Sequence, residues 1–171
     1  MNIKDHIRVI PGFPKPGINF YDISTLIAHS EAWHLTIQTL KEKIFPLKPD
    51  RLMGIEARGF LVASPLALEL GCALGMVRKM GKLPGKTLSY SYDLEYGQDT
   101  IQLQPDLIPP GSRIVLIDDL LATGGTMAAA ENLCIEAGAS VVGNVCIIEL
   151  DGLGGRAKLK APLFAALNCP A

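Results

Sequence analysis

The sequence predicts an α/β protein with a central, mostly parallel sheet flanked by helices. Three observations predict it. From Arg51 onward, short apolar runs alternate with segments of helix length. The runs are almost continuously apolar, the pattern of strands covered on both faces rather than one. The clearest of them, RIVLID at Arg113–Asp118, ends in acid and leads through a glycine-containing loop into another helix-length segment.

The elements follow in order. Ile10–Gly17 reads IPGFPKPG, and its prolines and glycines predict a stiff extended connector. It leads into INFYDIS, where Asp22 and Ser24 are candidate helix-entry residues. Apolar residues at Trp33, Ile37, Leu40 and Ile44 give Glu31–Phe45 helical spacing. Leu52–Ile55 reads as a strand and Phe60–Leu70 as a helix that Gly71 stops. Ala73–Val77 is the next strand. Lys79–Asp99 reads as a long polar loop, and loops of that length in compact domains are usually functional. Thr100–Leu103 reads as a returning strand, and Pro109–Gly111 as a turn. A helix over Thr126–Ala137, capped by Gly138, precedes a buried strand at Val141–Glu149. A chain of 171 residues fits one domain, 1–171.

Composition excludes several function classes. The net charge of −1 and the lack of a basic face argue against nucleic acid as a partner. The most apolar window, Phe60–Val77, is interrupted by Pro65, Glu69, Gly71 and Gly75, which predicts a buried helix and strand rather than a membrane span. The N-terminus has no apolar signal-peptide core. Cys72, Cys134, Cys146 and Cys169 form no CxxC pair and read as free thiols of a reducing compartment, which points to the cytoplasm. His6, His29 and His34 lack metal-ligand spacing.

The chemistry concentrates in IVLIDDLLATGGT, Ile114–Thr126. In open α/β sheets ligands bind beyond the carboxyl ends of strands. Here that edge carries two carboxylates and then a small, hydroxyl-bearing loop that opens a helix. Ala122, Thr123, Gly124, Gly125 and Thr126 offer unobstructed backbone N–H groups and hydroxyls, a phosphate cradle with a helix dipole behind it. Asp118 and Asp119 are acceptors suited to a sugar diol. Cradle and diol pair together describe a ribose 5-phosphate site. An Asp-Asp pair alone is more often a solvated helix entry, but the Gly-Gly pair and the threonines have no packing reason to accompany it. No GxGxxG is present, and GKLPGKT at Gly81–Thr87 misses a P-loop because residue 80 is Met and no helix follows.

The same string resembles the phosphoribosyl-diphosphate motif of the type I phosphoribosyltransferases. The resemblance extends through FPKPGINFYDIS, GIEARGF, RKMGKLPGKT and YDLEYG, in family order, over residues 10 to 155. Together these segments are similar to the adenine-specific members of that family. The resemblance implies the type I fold, with a small N-terminal hood over about residues 1–45, a core over about 50–150 and a long flexible catalytic loop at 79–99. It implies transfer of a phosphoribosyl group from 5-phosphoribosyl 1-diphosphate to adenine, with Mg²⁺ held mainly by substrate and water rather than a protein cage. It assigns the diphosphate to Glu56, Ala57, Arg58 and Gly59, across a cis Glu56–Ala57 bond, and to Arg78, Lys79 and Lys82. Arg58, Glu95, Asp118 and Asp119 become the catalytic set, with Glu95 holding the base or helping remove its N9 proton. Phe20 and Leu120 sandwich adenine, whose edge the backbone of Asn19 reads. The resemblance also implies a homodimer. Two positions depart from the family's pattern: Asn19 stands where a small apolar residue is usual, and Tyr21 where Arg is. Two alternatives stay open, the same transfer to hypoxanthine, guanine or xanthine, and a non-catalytic sensor of phosphoribosyl diphosphate.

Overall fold

A computed structural model describes residues 1–94 and 96–171. In chain order the strands and helices are β1 (Arg8–Pro11), β2 (Asn19–Asp22), α1 (Ser24–Ile27), α2 (Ser30–Ile44), β3 (Arg51–Ile55), α3 (Arg58–Leu70), β4 (Ala73–Lys79), β5 (Leu88–Asp93), β6 (Gln98–Leu103), β7 (Arg113–Ile117), β8 (Leu120–Leu121), α4 (Gly125–Glu136), β9 (Ser140–Asp151) and β10 (Leu163–Pro170). The central sheet runs β10-β9-β7-β3-β4-β6-β5, with β8 pairing β9 beside that path. Strands β10, β9, β7, β3 and β4 are mutually parallel, while β6 and β5 continue antiparallel. The expected fold class is the one observed.

Alternation along the inner strands divides the core. Val115 and Ile117 face one side with Leu52, Val145 and Ile147, under α2 and α3. Ile114 and Leu116 face the other with Met53, Ile55 and Cys146, against Met127, Ala130 and Leu133 of α4. Burial on both faces explains why these strands read as unbroken apolar runs. Each fully buried Leu or Ile contributes about 1.5–3 kcal/mol to this packing.

The expected helices are observed within a residue or two of their predicted ends. Gly71 takes a left-handed φ of 66° and its N–H bonds back into α3, the stop its position predicts. Asp22 Oδ1 accepts the Ser24 N–H at 2.9 Å and opens α1. Two expectations need correction. The polar stretch 79–99 is not one loop: it contains β5, which pairs with β6 as a hairpin from Leu88↔Leu103 to Asp93↔Gln98. Leu88, Tyr90 and Tyr92 alternate with Ser89, Ser91 and Asp93, the period of a half-buried strand, and the run of polar residues masked it. The stretch Ile10–Gly17 begins inside β1, whose pairing with β2 makes the N-terminal hairpin. The end of the chain, beyond the last expected strand, forms a full parallel strand, β10. Among the described residues no helix is long and apolar enough to cross a membrane.

Candidate active site

Strands β3, β4 and β7 point their carboxyl ends at one cleft of about 430 Å³. Its walls carry Glu56, Ala57 and Arg58 from the β3–α3 junction, Arg78 and Lys79 from β4, and Asp118, Asp119 and Leu120 from the segment after β7. Tyr92, Leu94 and Asp99 of the hairpin and Thr126 of α4 close it.

The first wall turns sharply after Ile55 through a cis Glu56–Ala57 peptide, as the resemblance implied. The Arg78 guanidinium donates to Glu56 Oε1 at 2.6 and 3.0 Å, and the Lys79 N–H donates to Oε2 at 2.9 Å. Burial would raise the Glu56 carboxyl, but the Lys79 amide and Arg78 outweigh it and hold it below the usual range. Glu56 is acceptor-only in this state, so its role is to aim Arg78 and anchor the end of β4. Gly59 is buried, and a Cβ there would stand 2.6 Å from the Ile117 carbonyl oxygen. Its missing side chain lets the first turn of α3 approach the end of β7. That approach sets Arg58 beside Asp119, with Nε donating to Oδ2 at 2.5 Å. The Arg58 guanidinium also lies 6.0 Å from the centre of the Phe20 ring, itself edge-on to Phe13.

At the second wall, the Asp118 N–H bonds to the Val145 carbonyl, and Ile147 and Ile148 both donate to the Asp119 carbonyl. The two aspartates are thus a fixed break between β7 and β8. The Asp119 N–H donates to Asp118 Oδ1 at 2.8 Å. Burial, and then the neighbouring Asp119 charge, push the Asp118 carboxyl well above the usual carboxylate range.

Asp118, Leu120 and Thr126 also line a smaller adjoining cavity of about 130 Å³, completed by Leu121–Gly125 and Met127. Gly124 is the N-cap of α4 with a left-handed φ of 83° and no side-chain capping bond. No acidic residue sits in the first turn of α4. Its first N–H groups therefore need an outside acceptor, and the helix dipole favours an anionic one.

The hairpin joins the two cavities. Tyr92 Oη stands 3.0 Å from Thr126 Oγ1, and Lys79 Nζ donates to Asp99 Oδ2 at 2.8 Å. Tyr92 and Asp99 were missed as site residues, although the Leu88–Tyr90–Tyr92 alternation was a signal that an ordered strand brings them here. Of the expected site residues, Ala57, Arg58, Glu56, Arg78, Lys79, Asp118, Asp119, Leu120 and Ala122–Thr126 come together. Phe20 adjoins through Arg58. Asn19 and Lys82 are exposed and lie outside both cavity linings. Glu95 lies outside the described residues. Tyr21 does not face the cleft wall: its hydroxyl donates to the Pro170 carbonyl at 2.6 Å, tying β2 to the end of β10.

A small cavity over the uncapped N-terminus of α4 thus shares Asp118 with a larger cleft lined by cations and carboxylates, at the carboxyl edge of the sheet where ligands of α/β proteins bind. In comparison with known proteins, residues 25–170 match the phosphoribosyl transferase domain, and the chain belongs to that family. Within the family it is similar to the adenine phosphoribosyltransferase of Rhodospirillum centenum, 60% identical over 95% of each chain. The crystal structure of adenine phosphoribosyltransferase from Thermoanaerobacter pseudethanolicus superposes with a TM-score of 0.94 at 42% identity, covering 98% of both chains. That of the Saccharomyces cerevisiae enzyme, complexed with an imino-altritol bisphosphate and adenine, gives 0.92 at 38% identity over 96% of both.

Proposed function

We propose that this chain transfers the phosphoribosyl group of 5-phosphoribosyl 1-diphosphate to adenine, giving AMP and diphosphate. The observation that carries this reading is the shared wall: Asp118 lies between the cradle before α4 and the cleft that holds Arg58, Arg78 and Lys79. The 5-phosphate takes the Ala122–Thr126 amides and hydroxyls. The ribose hydroxyls bond to Asp118 and Asp119. The diphosphate lies along the Ala57–Gly59 turn and Arg78, with Lys79 and the exposed Lys82 supplying further positive charge. Adenine stacks beside Phe20 and Leu120, with the backbone at Asn19 on its edge.

In the reaction the N9 lone pair attacks the anomeric carbon, the bond to diphosphate breaks, and the electron pair leaves with it. Positive charge grows on the sugar as that bond lengthens. Asp119, held in place by Arg58, stabilises it electrostatically without reorganising. Glu95 is the group proposed to take or relay the N9 proton.

The cleft's charge supports Mg²⁺. Among the described residues its lining holds three cations, Arg58, Arg78 and Lys79, against four carboxylates, Glu56, Asp99, Asp118 and Asp119. Each cation is paired to one of those carboxylates. A polyanionic donor therefore gains little net attraction unless it brings a cation of its own. Mg²⁺ prefers substrate oxygens, water and one or two carboxylates, and Asp118 and Asp119 are the carboxylates placed to meet it. Bound there, it would neutralise charge on the departing diphosphate.

A homodimer is part of the proposal. Leu74 and Met76 are exposed although β4 is an inner strand of the sheet. They share a face with Arg78, which lies over Phe60 of α3. On α3 itself Leu61 and Leu68 are also exposed, Leu68 to 83%. This apolar surface beside α3 suits a second copy. The free, mostly buried thiols support a cytoplasmic location.

The test is AMP formation from adenine, 5-phosphoribosyl 1-diphosphate and Mg²⁺, with hypoxanthine, guanine and xanthine in competition. Saturable, metal-dependent AMP formation is expected. Absence of turnover with adenine would end this reading, and preference for another base would redirect it.

A further inference from the structure

The segment between β9 and β10 passes directly behind the proposed phosphate cradle. A Cβ on Gly124 would stand 2.5 Å from the Gly155 carbonyl oxygen, and a Cβ on Gly155 would collide with the Ala122 carbonyl. The two glycines therefore let one backbone lie against the other. The cradle's rear wall is this segment, and its position matters to the cradle's shape.

Two carboxylates pin the segment. Arg156 donates to Glu149 at 3.0 and 2.6 Å and to the Leu163 carbonyl at 2.9 Å. The other is Glu131 of α4, only 1% exposed. Glu131 Oε2 accepts the Lys160 N–H at 2.8 Å, and Oε1 accepts the Ala161 N–H at 2.9 Å and Asn144 Nδ2 at 2.7 Å. Glu131 makes no salt bridge among the described residues. A buried carboxylate is costly unless its lone pairs are met, and here two of the three donors are backbone groups of the pinned segment. Glu131 sits on the same helix whose N-terminus forms the cradle. It thus ties the rear wall to the helix that the wall supports.

We infer that Glu131 is a positioning residue for phosphate binding: through the Lys160 and Ala161 amides it seats Gly155 against Gly124 and so shapes the Ala122–Thr126 loop. This rests on the ribose 5-phosphate reading of that loop. Glu131→Gln keeps the shape but sets an amide N–H against a backbone N–H. Glu131→Asp keeps the charge but withdraws it from the Lys160 and Ala161 amides, and keeps the inference testable if the first variant does not fold.

The experiment titrates ribose 5-phosphate calorimetrically into the full-length protein and both variants, beside steady-state kinetics and thermal melts. Each variant should weaken ribose 5-phosphate binding about tenfold or more and raise KM for the phosphoribosyl donor similarly. KM for adenine should stay within about twofold. A lowered Tm with unchanged ribose 5-phosphate affinity would make Glu131 purely structural and overturn the inference alone. No binding by the unsubstituted protein would overturn the cradle reading and the inference with it.

Discussion

Substituting Gly124 by alanine tests the cradle by a geometry that only glycine satisfies. The residue has φ 83°, and its new Cβ would stand 2.5 Å from the Gly155 carbonyl oxygen and 2.9 Å from the Gly155 Cα. Left-handed backbone costs a non-glycine residue about 1–2 kcal/mol. Overpacking against a backbone atom, which cannot rotate away, adds about 1–3 kcal/mol. If about 2 kcal/mol of that total is expressed as a distorted loop, KM for 5-phosphoribosyl 1-diphosphate rises about 30-fold. Gly138→Ala is the control at the other end of α4. Its φ is 92°, but nothing lies within 4 Å of its Cβ. It should cost about 1–2 kcal/mol of stability from backbone alone, with KM unchanged. Initial-rate kinetics with the donor varied at saturating adenine, beside thermal melts, separate the two. Gly124→Ala with the donor KM of the unsubstituted protein would refute the reasoning, because the loop would then tolerate distortion without consequence for binding.

Asp118→Asn should abolish most turnover yet raise Tm at neutral pH. The folded state holds this carboxyl above its ordinary range, so it binds protons more tightly than the unfolded chain. Its ionisation therefore costs stability as pH rises through the unfolded value of about 3.9, and the advantage of Asn over Asp should vanish below that pH. Glu56 has the opposite sign: its lowered carboxyl contributes stability above the unfolded pKa that is lost as pH falls through the folded value. Glu56→Gln should accordingly lower Tm near neutrality, reduce kcat through a misaimed Arg78, and lose its stability deficit in acid melts. Tyr21→Phe removes the bond to Pro170, costs about 1 kcal/mol, and should raise KM for adenine a few-fold while leaving the donor KM unchanged. Leu68→Glu should convert a dimer to a monomer in light scattering if the face beside α3 is the interface.

What the sequence made legible was local or doubly signalled. RIVLID announced a buried strand by composition and the functional edge by its terminal acid. Gly71 marked the end of a helix, and Gly124 and Gly125 marked the cradle because they leave backbone N–H groups unobstructed; the left-handed φ of Gly124 came only with the structure. What stayed hidden depended on partners far along the chain. Strand β10 is recognisable only beside β9, since Asn168 and Pro170 within it are residue types that usually mark turns. The hairpin strand β5 was masked by serines and an aspartate on its exposed face. The pairing of Arg78 with Glu56 and of Arg58 with Asp119 could not be read from residue types, and the resemblance assigned both arginines to the diphosphate without these partners. Nothing near Glu131 in the sequence marks its burial, because the segment before β10 that covers it lies far along the chain. Tyr21, an unexplained departure from the family pattern, acquires a partner only once the chain end folds back.

The most direct test of the central claim is a crystal structure of the protein grown with AMP, Mg²⁺ and diphosphate. The phosphate of AMP should rest on the Ala122–Thr126 amides, the ribose hydroxyls on Asp118 and Asp119, and the base beside Phe20 and Leu120, with diphosphate against Arg78. Nucleotide bound anywhere else, with the loop before α4 left without an anion, would contradict the account.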